Sequence, residues 1–123
     1  DPEKIAASFE QWLHEVVPPY VDVTIEAEGR VRAALTPVAH PANRALSRAI
    51  EKAYGKAPLP TREGGSGPEE ALGRVLAAPV LYLGVGLPDD RFHAPNERMV
   101  MDQFWRGLLA AGELWHELVE VAW

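Results

Sequence analysis

The sequence contains no cysteine, which excludes a disulfide framework, a thiol nucleophile and any metal site built on thiolates. Positive charge is also scarce, because twelve lysines and arginines stand against eighteen aspartates and glutamates, for a formal net charge of −6. Nucleic-acid binding needs clustered basic residues and is therefore not expected. The apolar runs are shorter than the roughly 18 residues of a membrane span. With no signal-peptide pattern either, we expect a cytoplasmic protein.

The chain has 123 residues, of which 47% are apolar and 24% charged. This composition is typical of a globular protein, and the length allows a hydrophobic core without covalent cross-links. The sequence begins with Asp1 and Pro2 instead of methionine. We therefore expect that it is part of a longer gene product.

Apolar residues recur at three- and four-residue spacing in four stretches, which predicts helices over residues 2–17, 41–54, 68–77 and 97–121. Asp1 and Pro2 suit the start of the first helix, and Gly55 suits the end of the second. Two-residue alternation predicts strands over 21–27 and 31–35. Residues 79–85 (PVLYLGV) are apolar on both parities, which predicts a strand covered on both faces, as in an α/β sheet.

The polar loop that follows this last stretch is the first candidate site, because open α/β sheets bind ligands at the carboxyl ends of their strands. His93 lies there between acidic residues and close to Asn96 and Glu97 in the sequence. An imidazole in this setting could bind a metal, with a neighbouring group fixing its tautomer; the alternative is a solvated loop histidine. Asp89, Asp90 and Glu97 could bind a cation, or form an ordinary acidic turn.

The glycine-rich segment 62–68 is the second candidate. Free backbone N–H groups at a helix start, together with Arg62 and Ser66, could bind an anion; the alternative is a flexible connector. A nucleophilic pair of Ser66 and His93 is disfavoured, because no strained Gly-x-Ser-x-Gly turn follows a predicted strand and no orienting acid is identifiable.

The order of these motifs resembles the C-terminal part of the carnosinase-like dizinc peptidases. That superfamily also contains acetylornithine deacetylases, succinyl-diaminopimelate desuccinylases and carboxypeptidase G. Residues 64–68 (GGSGP) are similar to the family's Gly-Gly-Ser-Ile-Pro loop, and residues 93–97 (HAPNE) to its metal-binding His-Ala-Pro-Asn-Glu motif. Gly67 stands where the family has isoleucine, and the loop resembles the dipeptidase branch more than the deacetylase branch.

The resemblance implies an α/β fold in two parts. Residues 1–36 would be the C-terminal end of the lid or dimerisation domain, namely the last helix and strand of an α+β lid. Residues 37–123 would be the C-terminal segment of a catalytic domain of the zinc-exopeptidase type, with helices on a mixed sheet.

The resemblance also implies roles for individual residues. His93 would bind one of two zinc ions, with Asn96 and Glu97 supporting its loop. The carboxylate of a peptide or amide substrate would be bound by Arg62, Gly65 and Ser66.

In this family the catalytic glutamate and the remaining metal ligands lie upstream of the lid, so no catalytic residue is expected in this chain. A single ligand cannot hold a dizinc centre. We therefore expect an inactive fragment of a metallopeptidase or amidohydrolase, which pairs with itself or with the missing N-terminal part. The alternative is a self-contained, non-catalytic module for binding or oligomerisation on the same scaffold.

Overall fold

The computed structural model describes residues 1–65 and 67–121, and this part of the chain contains four helices and no strand. The helices are α1 (Pro2–Val16), α2 (Pro41–Tyr54), α3 (Glu69–Leu76) and α4 (Met101–Val119). The predicted α/β fold, with a mixed catalytic sheet and a lid strand, is therefore wrong for the described residues.

The first two helices begin and end where local chemistry predicts. The Asp1 carboxylate accepts a hydrogen bond from the Glu3 amide at 3.1 Å, and Pro2 follows in the first turn. Pro41 occupies the same position in α2, which ends at Gly55 in the left-handed conformation (φ 74°). Because glycine has no Cβ, it adopts this conformation without the steric cost paid by other residues. The caps predicted at Asp1 and Gly55 are confirmed.

The last helix begins four residues later than predicted. Asn96 is left-handed (φ 61°), the Glu97 amide donates to the Ala94 carbonyl at 3.2 Å, and the Arg98 amide donates to the Asp90 carbonyl at 3.0 Å. These bonds bind residues 97 and 98 to the preceding loop. The helical spacing of the apolar residues does not reveal these hydrogen bonds to the loop, so it predicts a helix start that is too early.

The predicted strands fail for a common reason. Alternation indicates which side chains face water, whereas a strand also needs a neighbouring backbone to complete its hydrogen bonds. Over the described residues 21–27, 31–35 and 79–85 no such ladder forms. The stretch 79–85 is also covered on one side only, since Leu81, Leu83 and Val85 are half-buried while Tyr82 and Gly84 are exposed.

Contacts divide the chain into two compact units. The first unit comprises Asp1–Leu35 and Gly64–Ala78, and the second comprises Thr36–Glu63 and Pro79–Trp123. The sequence predicted a lid segment (1–36) and a catalytic segment (37–123). These are domains of the resembled family, and the contact-based units do not identify them, so this division stays a prediction.

The core of the second unit lies between α2 and α4. Arg48 pairs with Glu117 and the Ala53 carbonyl accepts from Arg106, so the two helices run antiparallel. The buried residues of the two helices are all small except Leu46; they are Ala42, Ala45, Leu46, Ala49, Ala53, Gly107 and Ala110.

The Thr36 side chain joins the chain ahead of α2 to the stretch ahead of the polar loop. Its hydroxyl donates to the Val80 carbonyl at 2.7 Å and accepts from the Val80 amide at 3.1 Å. A single side chain thus satisfies backbone groups that a neighbouring strand would otherwise satisfy.

In the first unit, every described residue of α1 and α3 remains at least partly exposed. The apolar face of α1, which includes Ile5, Phe9 and Trp12, is largely open to water. Pro2, Ile5 and Phe9 line one wall of an open groove of about 540 Å³, and residues 27–31 line the other.

Within residues 1–65 and 67–121, no helix combines the length and the apolar character that crossing a bilayer requires. The cytoplasmic location is not addressed by this finding and stays a prediction.

Candidate functional site: the histidine loop

The histidine loop, residues 91–97, connects Asp90 to Arg98 in the second unit. It is preceded by a tight turn in which the Asp90 amide donates to the Leu87 carbonyl at 3.0 Å. In return, the Leu87 amide donates to Oδ2 of Asp90 at 2.7 Å. This side-chain-to-backbone pairing is typical of aspartate in turns.

Asp90 is fully buried (0% exposed), whereas all residues from 91 to 99 are exposed. Among the described residues, none donates a hydrogen bond to its Oδ1. The nearest positive group is Nε of Arg98, 3.7 Å from that oxygen, and the same guanidinium also pairs with Asp89. A buried carboxylate is costly unless it is paired, so Arg98 compensates the charge of Asp90 electrostatically.

Three residues of the histidine loop adopt the left-handed backbone conformation: Arg91 (φ 59°), His93 (φ 58°) and Asn96 (φ 61°). Histidine and asparagine enter this region more often than other residues, whereas arginine gains nothing there. Two further backbone bonds organise the loop, from Ala94 to the Arg91 carbonyl at 3.0 Å and from Glu97 to the Ala94 carbonyl at 3.2 Å. The loop is therefore a series of tight turns.

Phe92 connects the histidine loop to Gly86, although its side chain is about half exposed. Its ring packs against Gly86, at a position where a Cβ on residue 86 would overlap it. Because Gly86 has no side chain, there is room for the ring of Phe92, the residue that directly precedes His93.

His93 itself is exposed, and no described side chain forms a hydrogen bond with its imidazole. An exposed imidazole without a partner suits a metal ligand. However, no group of three or more histidine, aspartate or glutamate side chains in the described part of the chain is arranged to hold a metal ion. His93 therefore fits one ligand position, and the described residues do not form a complete metal centre.

Asn96 and Glu97 are both exposed, on the same loop as His93. Asn96 contributes through its left-handed backbone, and the Glu97 amide closes the last turn of the loop. The cation cluster considered for Asp89, Asp90 and Glu97 does not form in the described chain, because Arg98 pairs with the two aspartates.

The residues predicted to bind substrate are divided between the two units. Arg62 belongs to the second unit, is exposed, and makes no ion pair with another described residue. Gly65 belongs to the first unit and is open on the side where a Cβ would stand. Ser66 lies outside the described residues.

At the start of α3, the Glu69 side chain packs against Gly67. Glu69 and Glu70 occupy the first turn, where negative charge is stabilised by the helix dipole. This region therefore carries its own negative charge next to the glycine segment.

A separate ionic cluster connects α2 and α4, and it shifts the pKa of two groups. Lys52 donates to Glu117 at 2.8 Å and to Glu113 at 3.0 Å, and Arg48 also pairs with Glu117. Hydrogen bonds from Lys52, and then from Arg48, hold the pKa of Glu117 below its ordinary value. The hydrogen bond to Glu117, and then that to Glu113, raises the pKa of Lys52.

Sequence reasoning missed the roles of Asp90 and Arg98, which interact with each other across the histidine loop. Asp90 was considered only as part of an acidic cluster. A signal was present, since an aspartate and an arginine flank a segment of six polar or small residues and one phenylalanine. Yet the spacing alone does not indicate that the aspartate is buried.

Comparison with known proteins gives one informative match. Over 76 residues, or 61% of the chain, the sequence is 37% identical to the Cys-Gly metallodipeptidase dug1 of Schizosaccharomyces pombe (strain 972 / ATCC 24843). The chain covers only 16% of that protein's length. No protein-family model matches the chain, and no solved structure matches it. The similarity to dug1 supports a relationship to the metallodipeptidases, a family whose name implies a metal cofactor.

Proposed function

We propose that this chain is the C-terminal part of a carnosinase-like dizinc peptidase, which hydrolyses a dipeptide or a similar amide. The observation that carries the proposal is the histidine loop, in which an exposed imidazole stands on a series of hydrogen-bonded turns. The 37% sequence identity with a Cys-Gly metallodipeptidase over 76 residues supports the same reaction class.

In this proposal His93 binds one of two zinc ions through a neutral imidazole nitrogen. Asn96 and Glu97 support its loop. The bound metal would polarise the scissile carbonyl and lower the pKa of a water molecule. The other ligands and the catalytic glutamate are supplied from outside this chain, so the chain alone is inactive.

Substrate binding is assigned to Arg62, Gly65 and Ser66. A guanidinium without an ion-pair partner among the described residues, such as that of Arg62, can form charge-assisted hydrogen bonds with the carboxylate of a dipeptide. Gly65 would contribute a backbone N–H group, because the lack of a side chain lets a ligand approach closely.

We also propose that the chain pairs with the rest of the catalytic domain, or with a second copy when that part is absent. Large apolar side chains such as Trp105, Leu108 and Trp115 on α4 are more than half exposed, which favours association. Sedimentation of the chain as a monomer at all concentrations would contradict this part of the proposal.

The function is tested on the protein expressed from its complete reading frame. We expect this protein to bind zinc and to hydrolyse the dipeptide Cys-Gly. Replacing His93 by glutamine removes a ligand, so the loss of kcat/KM should exceed the roughly 10–100-fold typical of residues that only support a metal ligand. Bound zinc should fall in parallel, as measured by elemental analysis.

His116→Gln is the matched control, because His116 is an exposed histidine on α4 of the same unit. Its activity and zinc content should stay within about twofold of the original protein, as expected for a surface substitution. Equal zinc content and activity in the His93→Gln and unmodified proteins would overturn the role of His93. A complete protein that neither binds zinc nor cleaves dipeptides would favour the non-catalytic module.

A further inference from the structure

Asp90 is unusual because it is a fully buried acid at the start of an otherwise exposed loop. Asp90 forms hydrogen bonds with one residue before the histidine loop and with one residue after it. On one side its Oδ2 accepts from the Leu87 amide at 2.7 Å, and on the other its carbonyl accepts from the Arg98 amide at 3.0 Å. The carbonyl bond joins residues 90 and 98 and so closes the loop between them.

Arg98 adds a second, electrostatic connection at the same place. Its guanidinium pairs with Asp89 and lies 3.7 Å from Oδ1 of Asp90, measured to Nε. Because Asp90 is buried, the arginine cannot be removed without leaving a carboxylate away from water and without its countercharge. The backbone and side chains of Asp90 and Arg98 together form what we term the loop clamp.

Between the two residues of the loop clamp lie three left-handed residues, including His93. Left-handed backbone is unfavourable for residues with a Cβ, so it persists only where the surroundings determine it. With the ends held together, the chain must reverse within seven residues, and the turns at 91–94 and 94–97 accomplish this. The direction of the His93 imidazole therefore depends on the loop clamp.

From this geometry we infer that Asp90 and Arg98 are positioning residues, which hold the His93 imidazole in the orientation needed for a ligand. The positioning role rests on the proposed function, because it assumes that His93 is a metal ligand. The effect of Asp90 and Arg98 on the loop conformation is measurable on the chain itself. Supporting residues of this kind commonly change metal affinity about 10–100-fold when they are replaced.

The first experiment uses NMR on the 123-residue chain. A positive φ at His93 gives a strong intraresidue NOE between its amide and α protons. The Leu87 and Arg98 amides, which donate to Asp90, should exchange slowly with solvent. In Arg98→Gln we expect the His93 NOE to weaken and exchange of both amides to accelerate about tenfold or more. Arg98→Lys keeps the positive charge and should retain part of the protection.

Two controls separate the loop clamp from general effects. Asp102→Asn disrupts the ion pair with Arg106 on α4, another exposed arginine–aspartate contact of the same unit, and should leave the histidine loop unchanged. Leu46→Ala weakens the core between α2 and α4 and should lower the melting temperature while the His93 NOE persists. Unchanged NOE and exchange in Arg98→Gln would overturn the loop clamp.

The second experiment measures zinc affinity by chelator competition, in the protein from the complete reading frame. If the unmodified protein binds zinc and Arg98→Gln weakens it about tenfold or more, with recovery in Arg98→Lys, the positioning role is supported. If zinc binds equally to both while the loop loosens, the positioning role is wrong. If the unmodified protein binds no zinc, the proposed function fails, while the NMR result still decides whether the clamp exists.

Discussion

The helices α1 and α2 make an instructive comparison, because their sequences have the same features but their apolar faces lie in different environments. Each has a proline in its first turn, a side-chain cap and one apolar face. In α2 that face is buried against α4, and five of its residues are shielded from water. In α1 the corresponding face, with Ile5, Phe9 and Trp12, is largely exposed.

The difference shows that an amphipathic pattern predicts a helix and the face it will bury, but not whether a partner is present. Burial stabilises a fold in proportion to the apolar area removed from water, by roughly 25 cal/mol per Å². The alanines of α2 are removed from water in this way because α2 packs against α4. We therefore expect α2 and α4 to unfold together, and α1 to open at a lower free energy.

The largest expected contrast is between truncating a buried and an exposed apolar side chain. Leu46 on α2 is 6% exposed, so Leu46→Ala should cost about 2–5 kcal/mol of unfolding free energy. Phe9 on α1 is 52% exposed, and Phe9→Ala should cost less than about 1 kcal/mol although more atoms are removed. Urea unfolding followed by circular dichroism measures both. Similar losses for the two variants would mean that α1 is covered in solution.

A smaller effect is expected from adding one methyl group to the interior of the second unit. A Cβ on Gly107 would overlap Cγ1 of Val85, so Gly107→Ala should be destabilising by about 1–2 kcal/mol despite the better helix propensity of alanine. In a Val85→Ala background the same change should cost less. Denaturant midpoints of the four proteins give the coupling free energy.

Gly112, on the same helix, is the control because nothing lies within 4 Å of the position of its Cβ. There the change to alanine should stabilise the protein by up to about 1 kcal/mol. If both glycine variants were equally stabilised, Val85 would not pack against α4.

The smallest effect concerns the ionic cluster between α2 and α4, where Glu117 is 12% exposed and Lys52 about half exposed. Because the pKa of Glu117 is lowered in the folded state, its stabilising contribution is present above its unfolded pKa and disappears as the pH falls through the folded value. The pKa of Lys52 is raised, so its contribution is present below its unfolded value and is lost as the pH rises through the folded one.

Glu117→Gln should therefore be less stable than the original protein at neutral pH, and the difference should vanish in acid once the pH has fallen through the lowered folded pKa of Glu117. Urea unfolding across the pH range measures this difference. A constant difference down to strongly acidic pH would indicate packing instead of charge. Salt should reduce it at neutral pH, since the cluster lies at the surface.

Much of the helical structure was predictable, because Asp1, Pro41 and Gly55 act through contacts with residues nearby in the sequence. The strands were not, because alternation over 21–27 and the apolar run over 79–85 indicate exposure without indicating a hydrogen-bonding neighbour. The family resemblance implied a sheet for the same stretches, and this expectation was wrong in the same place.

For the candidate site, sequence motifs identified His93 and its loop, while its metal role and those of Arg62, Gly65, Ser66, Asn96 and Glu97 remain proposals. What the motifs could not identify was the fully buried Asp90. Its carboxylate accepts from the Leu87 amide within a local turn, but its carbonyl accepts from the Arg98 amide, eight residues away, only when the loop is closed. A loop closure that joins residues eight positions apart leaves little trace in patterns with periods of two to four residues.

The interface between α2 and α4 has a kinetic consequence. Its cross-helix bonds join residues that are 49 to 69 positions apart, such as Tyr54 with Gln103 and Arg48 with Glu117. Helical proteins usually fold quickly because their contacts are local, and folding slows as the sequence distance between contacting residues grows. Here the chain must first close a loop of some fifty residues, at a cost in entropy, before the helices meet. The second unit should thus fold more slowly than its helix content suggests, and this delay leaves α4's apolar side chains open to other molecules for longer.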